Sequence, residues 1–127
     1  MDTYLYVADM QTLHIIDHEQ GKLIKSIKAD SSVMLNDVVV DDKGVVYISD
    51  LLGGGIYTYQ NNTLSQWVSS ADLPHPNGLF FANNTLTVGT WGEGLKDDFT
   101  TEKLGSLYTI DRSNKRITPY KNAELIG

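Results

Sequence analysis

Apolar and polar positions alternate along this chain in short runs, and the runs recur at a fixed distance. Tyr4-Leu5-Tyr6-Val7-Ala8-Asp9, Val45-Val46-Tyr47-Ile48-Ser49-Asp50 and Thr85-Leu86-Thr87-Val88-Gly89-Thr90 begin 41 and 40 residues apart. Each is followed by a second run: Leu13-His14-Ile15-Ile16-Asp17, Ile56-Tyr57-Thr58-Tyr59-Gln60 and Leu107-Tyr108-Thr109-Ile110-Asp111. A third run closes each unit, over 22–28, 63–68 and 116–120, with the period-two alternation of a half-exposed edge strand. Pro119 suits such an edge, where a missing N–H is tolerated. Two units also carry a preceding apolar run, Asn36-Asp37-Val38-Val39-Val40 and Asn77-Gly78-Leu79-Phe80-Phe81, whose Asn residues are again 41 apart.

Turn chemistry falls between the runs: Glu19-Gln20-Gly21, Asp41-Asp42-Lys43-Gly44, Asn61-Asn62, Asn83-Asn84 and Arg112-Ser113-Asn114-Lys115. Asn61-Asn62-Thr63 and Asn83-Asn84-Thr85 also match the glycosylation triplet, beside their reading as turns. Four antiparallel strands about every 40 residues is the pattern of a β-propeller blade. The fold class expected is therefore all-β: a partial propeller of three blades over about 1–34, 35–75 and 76–127, the first lacking its innermost strand. The next innermost strand is expected to begin within 122–127, so the chain reads as a fragment. No helix is expected, save for a short one within 92–104. An open β-sandwich of eleven short strands is the alternative, and the repeated register speaks against it.

Composition narrows the function classes. Ten Lys and Arg against sixteen Asp and Glu give a net charge of −6 with no basic cluster, which disfavours nucleic acid and anionic membrane as partners. With no Cys, the chain has no disulfide, zinc-thiolate site or thiol nucleophile. Met1-Asp2-Thr3 is followed directly by a strand pattern, so neither a leader nor a membrane-spanning run is expected, and the compartment stays open.

Asn36-Asp37-Val38 and Pro76-Asn77-Gly78-Leu79 at the heads of successive innermost strands, with Tyr47-Ile48-Ser49-Asp50 and Leu5-Tyr6-Val7-Ala8-Asp9 in the strands that follow, resemble the SMP-30/gluconolactonase/LRE-like family. NHL-repeat and strictosidine-synthase-like propellers share parts of the pattern. The resemblance covers essentially the whole chain and implies a six-bladed propeller with one divalent cation, commonly calcium, at the mouth of its channel. It also implies hydrolysis of lactones or related esters. By motif position the metal ligands fall on Asn36 and Asn77. The family's Glu ligand is expected upstream of Met1 and its Asp, the expected base, downstream of Gly127. Both charged ligands are thus missing from this sequence, and activity of the chain alone is not expected.

That gap matters chemically. Two neutral amide oxygens do not replace the hydration shell of a hard cation, so calcium is expected only if carboxylates complete the site. With them, the ion would polarise a lactone carbonyl while a carboxylate draws a proton from water. Asn36 and Asn77 also admit a plainer reading as turn residues at strand heads. Asp9, Asp50 and Trp91 are expected at the same end as these Asn. The connection 92–104 is long against 51–54 in the preceding unit, and is expected to overhang the mouth as a binding loop or to be a plain surface excursion. The candidate substrate contacts are His75, Trp91 and Phe99, with His75 alternatively a spacer between Pro74 and Pro76. Asp97-Asp98 reads as a turn in preference to a metal pair, and no Ser-His-Asp order, phosphate loop or dinucleotide motif is present.

The sequence therefore carries two functions: a metal-dependent lactonase-like hydrolase of which this is an incomplete part, or a non-catalytic NHL-type binding or scaffold module. A small-molecule substrate and the missing blades, or a second copy of the chain, are the expected partners.

Overall fold

The computed structural model describes residues 4–69 and 71–125, and every regular element among them is a β-strand. They form three antiparallel sheets in chain order. The first contains β1 (Tyr4–Asp9), β2 (Thr12–Asp17) and β3 (Lys22–Lys28). The second contains β4 (Leu35–Val40), β5 (Val46–Asp50), β6 (Ile56–Gln60) and β7 (Thr63–Val68). In the third, β8 (Pro76–Ala82) pairs with β9 (Thr85–Thr90). There β11 (Lys103–Asp111) joins β9, β12 (Ile117–Leu125) and, through its first residues, the short β10 (Gly92–Glu93).

Hairpin turns set the registers. Asn61 and Asn62 have φ of 50° and 60°, and Asn83 and Asn84 have 52° and 62°. Two consecutive left-handed residues make the primed turn whose twist matches the flanking strands, and Asn tolerates that conformation better than other side chains. The turn reading of both Asn pairs therefore holds.

Side-chain alternation then decides what each sheet covers. On the second sheet, Val46, Ile48 and Tyr57 point toward the first sheet and pack with Leu13, Ala29 and Leu35. Tyr47, Ile56 and Val68 point the other way and pack with Leu73 and with Leu86, Val88 and Ile110 of the third. Both faces of the middle sheet are thus buried, which is why β5 is buried throughout although its sequence alternates. Each aliphatic side chain so covered contributes about 1.5–3 kcal/mol. Backbone bonds reinforce the stacking, from Leu35 N to Met10 O (2.6 Å) and from Gly55 N to Leu73 O (2.9 Å).

Two expectations are corrected. Residues 122–125 do not open a new innermost strand: they prolong β12, with Leu125 opposite Gly105 and Glu124 opposite Ser106. Pairing with the lengthened β11 supplies partners that a free strand head would lack. The connection 92–104 is not wholly a loop, because Gly92 and Glu93 pair with Leu104 and Lys103 and extend the hairpin. No helix occurs in it. Residues 1–3 and 126–127, where the chain was read as entering and leaving its strands, lie outside the described residues.

Candidate functional site

Asn36 and Asn77 sit at equivalent places near the heads of β4 and β8, and the fold brings them together: Asn36 Nδ2 donates to Asn77 Oδ1. The convergence is built by their neighbours. Asp37 Oδ2 accepts the Leu79 N–H at 2.7 Å, which ties β4 to β8 one step below the Asn pair. Ser49, fully buried, donates to the Asn77 carbonyl at 2.8 Å and accepts the Asp37 N–H at 3.0 Å. Three strands of two sheets are therefore pinned at one level.

Asp50 supports the same end from beneath. It is 1% exposed, and its carboxylate accepts N–H groups from Val33 (3.0 Å), Met34 (2.8 Å) and Gly53 (2.9 Å). A buried carboxylate needs such partners, and here they fix the segment that delivers Asn36. Its counterpart Asp9 is exposed and lies 3.5 Å from His14 Nε2.

The three candidate substrate residues lie in one chain of bonds beside Asn77. His75, at φ 49°, accepts the Trp91 N–H on its carbonyl at 2.8 Å. Its Nδ1 is 2.9 Å from Leu51 O, so the ring bridges to the second sheet. Trp91 Nε1 donates to Phe99 O at 2.8 Å, which anchors the excursion beyond β10 to the sheet while the Phe99 ring stays exposed. Within that excursion Asp98 Oδ1 accepts both the N–H and the hydroxyl of Thr100, and these bonds hold its carboxyl below the usual range. Asp98 thus closes a turn, as read from the sequence.

The donor set bears on a cation directly. The Asn pair offers neutral amide oxygens, which fit part of a hard-cation site that takes about six to eight oxygens. Asp37, the adjacent carboxylate in sequence, gives its oxygens to the N–H groups of Val38 and Leu79. Among the described residues no three His, Asp or Glu side chains converge where they could hold a metal ion. The charged half of such a site is therefore not assembled by these residues.

A second polar cluster, which the sequence reading took only as turns, occupies the opposite end of the same sheets. Asp41 accepts the N–H groups of Lys43 (2.8 Å) and Val45 (2.9 Å), the Tyr47 hydroxyl (2.9 Å) and Arg112 Nη1 (3.2 Å). Arg112 also donates to Asp42 and lies 5.1 Å from the Phe81 ring centroid. Burial alone would raise the Asp41 pKa, but the bonds from Val45, Lys43, Tyr47 and Arg112 outweigh it and hold the carboxyl below its ordinary value. Burial, and then the bond to Asp41, push the Tyr47 phenol well up. A cleft of about 310 Å³ opens here beside Trp67, Asn84 and Ser113. The Asp41 carboxylate and the Arg112 guanidinium here are already spent on one another and on Asp42, so the cluster acts as a clamp between sheets. The one signal in the sequence was the Asp-x-x-Gly turn, which does not disclose a partner 71 residues away.

Compared with family models the chain matches none, and compared with curated proteins it matches none.

Proposed function

We propose that the three sheets are part of a β-propeller, and that Asn36 and Asn77 contribute neutral ligands to a divalent cation, calcium by its preference for oxygen, serving hydrolysis of a lactone or related ester. The observation that carries this reading is the meeting of two repeat-equivalent Asn side chains at one end of adjacent sheets, braced by Asp37, Ser49 and Asp50. When bound, the ion would supply Lewis-acid polarisation of the substrate carbonyl, and carboxylates from sheets outside this chain would neutralise it and act as base. In this reading Trp91 and Phe99 would contact the substrate, which the bond from Trp91 Nε1 to Phe99 O and the bridge from His75 to the second sheet support by holding their loop beside Asn77.

A non-catalytic binding module is the second reading, favoured by the hydrogen bond that Asn77 Oδ1 already accepts from Asn36. Calorimetry separates the two. Calcium titrated into this chain alone should give no binding heat. In a polypeptide extended by sheets that place a Glu and an Asp at the mouth, calcium should bind, and Asn77→Ala should weaken calcium affinity and ester hydrolysis together. Unchanged calcium affinity in that variant would reduce Asn77 to a turn residue and leave the binding module standing.

A further inference from the structure

The repeat makes three rows of side chains equivalent, and only two of them are covered. Across the second sheet, Val46, Tyr59 and Leu64 lie opposite one another on β5, β6 and β7, facing the first sheet. Across the third, Leu86, Ile110 and Ile117 form the same row on β9, β11 and β12, facing the second. Val46, Leu86 and Ile110 are 0% exposed. The matching row on the first sheet is Leu5, Ile16 and Leu23, again directly opposite one another. It faces away from the second sheet, because the alternate residues Tyr6, Ala8 and Leu13 are the ones packed inward. There Leu5 is 51% and Leu23 59% exposed, with Val7 beside them at 36%. An apolar row exposed at Leu5 and Leu23 and half-buried at Ile16, at a position where the same chain twice packs the equivalent row against another sheet, is a surface fit for a cover.

The chain also shows what such a cover consists of. Each covered row is met by the following face of the preceding sheet: Tyr6 and Leu13 in one case, Tyr47 and Ile56 in the other. The third sheet presents this following face too. Leu79 and Phe81 pack inward, which turns Phe80 outward opposite Thr87, and Thr87 lies opposite Thr109. Leu107, equivalent in the repeat to Leu13 and Ile56, shares that face, and Phe80 is 64% exposed. One molecule therefore carries both halves of its own inter-sheet interface, at opposite ends of its stack.

We propose that a second copy of this chain covers the Leu5-Ile16-Leu23 row with the Phe80 face of its third sheet, head to tail. The contact is heterologous, since the two surfaces differ, and it continues the stacking already present between sheets one and two and between two and three. It concerns this chain by itself and uses none of the metal reading, in which further sheets of a longer polypeptide would take the second copy's place, so absence of calcium binding leaves it intact.

Sedimentation of the wild-type chain across the micromolar range should give masses above the monomer that rise with concentration. Leu23→Asp and Phe80→Asp should each lower the association constant tenfold or more, because either charge spoils every head-to-tail contact in a uniform sample. An equimolar mixture of the two variants should recover a one-to-one pair, joined through the intact first sheet of one and the intact third sheet of the other. If either Asp variant loses the strand spectrum in circular dichroism, Leu23→Ser and Phe80→Ser take its place in the same scheme. A wild-type chain that stays monomeric overturns the proposal. So does unimpaired association in the Phe80 variant, which would mean that first sheets meet each other, and so does a mixture that fails to pair.

Discussion

Arg112 donates to Asp41 across the gap between two sheets, joining the turn after β11 to the turn after β4 at 3.2 Å. Asp41 has no exposed side-chain surface, whereas Arg112 keeps 17% of its own. The carboxylate is therefore the organiser of the cluster, and the guanidinium closes it from the rim. Buried charge is tolerable only when paired and hydrogen-bonded, and Asp41 has two backbone donors and two side-chain donors.

Asp41→Ala should accordingly cost about 3 kcal/mol, since it strips partners from the partly buried N–H groups of Lys43 and Val45, from the buried Tyr47 hydroxyl and from Arg112. Tyr47→Phe should cost about 1–2 kcal/mol, for one bond to a charged acceptor. Arg112→Leu should cost less than Asp41→Ala. Urea midpoints of the three variants check the ranking, and an Arg112 effect larger than that of Asp41 would reverse the assignment of organiser.

Asp41 and Tyr47 together set a pH window. Asp41 is more acidic folded than unfolded, so its contribution is present above the unfolded carboxyl value near pH 4 and is lost as pH falls through the lower folded value. Tyr47 is shifted upward, so its contribution is present below the unfolded phenol value near pH 10 and is lost as pH rises toward the folded one. Stability measured against pH should fall at both ends, and Tyr47→Phe should flatten the alkaline limb by removing the titrating phenol. An unchanged alkaline limb in that variant would assign it to other groups.

Equivalent positions in the repeat should differ sharply in cost. Leu86→Ala removes a fully buried side chain between two sheets and should destabilise by about 3 kcal/mol, with the upper part of the range reached if the cavity does not collapse. Leu23→Ala, measured in dilute monomer, should stay within about 0.5 kcal/mol because its side chain is already in solvent. Similar losses at both sites would mean that the first sheet's outer face is covered within the monomer.

Two glycines make a matched test of backbone approach. A Cβ at Gly105 would lie 2.0 Å from the Thr90 carbonyl oxygen, against backbone that cannot swing aside. Gly105→Ala should therefore cost about 3 kcal/mol or prevent folding of the third sheet. At Gly78 an added Cβ meets nothing within 4 Å, and Gly78→Ala should be neutral within about 0.5 kcal/mol. Thermal unfolding of both variants reads the contrast directly.

Among the candidate site residues, the pairing of Asn36 with Asn77 was legible because a repeat puts equal residues at equal places, so one spacing of 41 brought both to the same end. Their bracing was not. Asp37, Ser49 and Asp50 look like ordinary strand or turn residues in the sequence, and their roles appear only when Leu79, Asn77 and Met34 arrive from elsewhere. Trp91 and Phe99 are candidate substrate contacts by their place at the strand end and in the long connection after it, while the bond that joins them depends on how the loop between β10 and β11 folds back.

By itself the sequence determined the strands and their turns. Period-two alternation and the preference of Asn and Gly for left-handed φ act within a few residues of each other, so the spans of β2 and β6 and the Asn61-Asn62 and Asn83-Asn84 turns needed nothing distant. Tertiary structure decided the rest: which face of each strand is covered, that residues 122–125 prolong β12 instead of starting a new strand, and that Asp41 meets Arg112. Those outcomes depend on burial and on hydrogen bonds between residues tens of positions apart, and such partners leave no mark on the local pattern of either one.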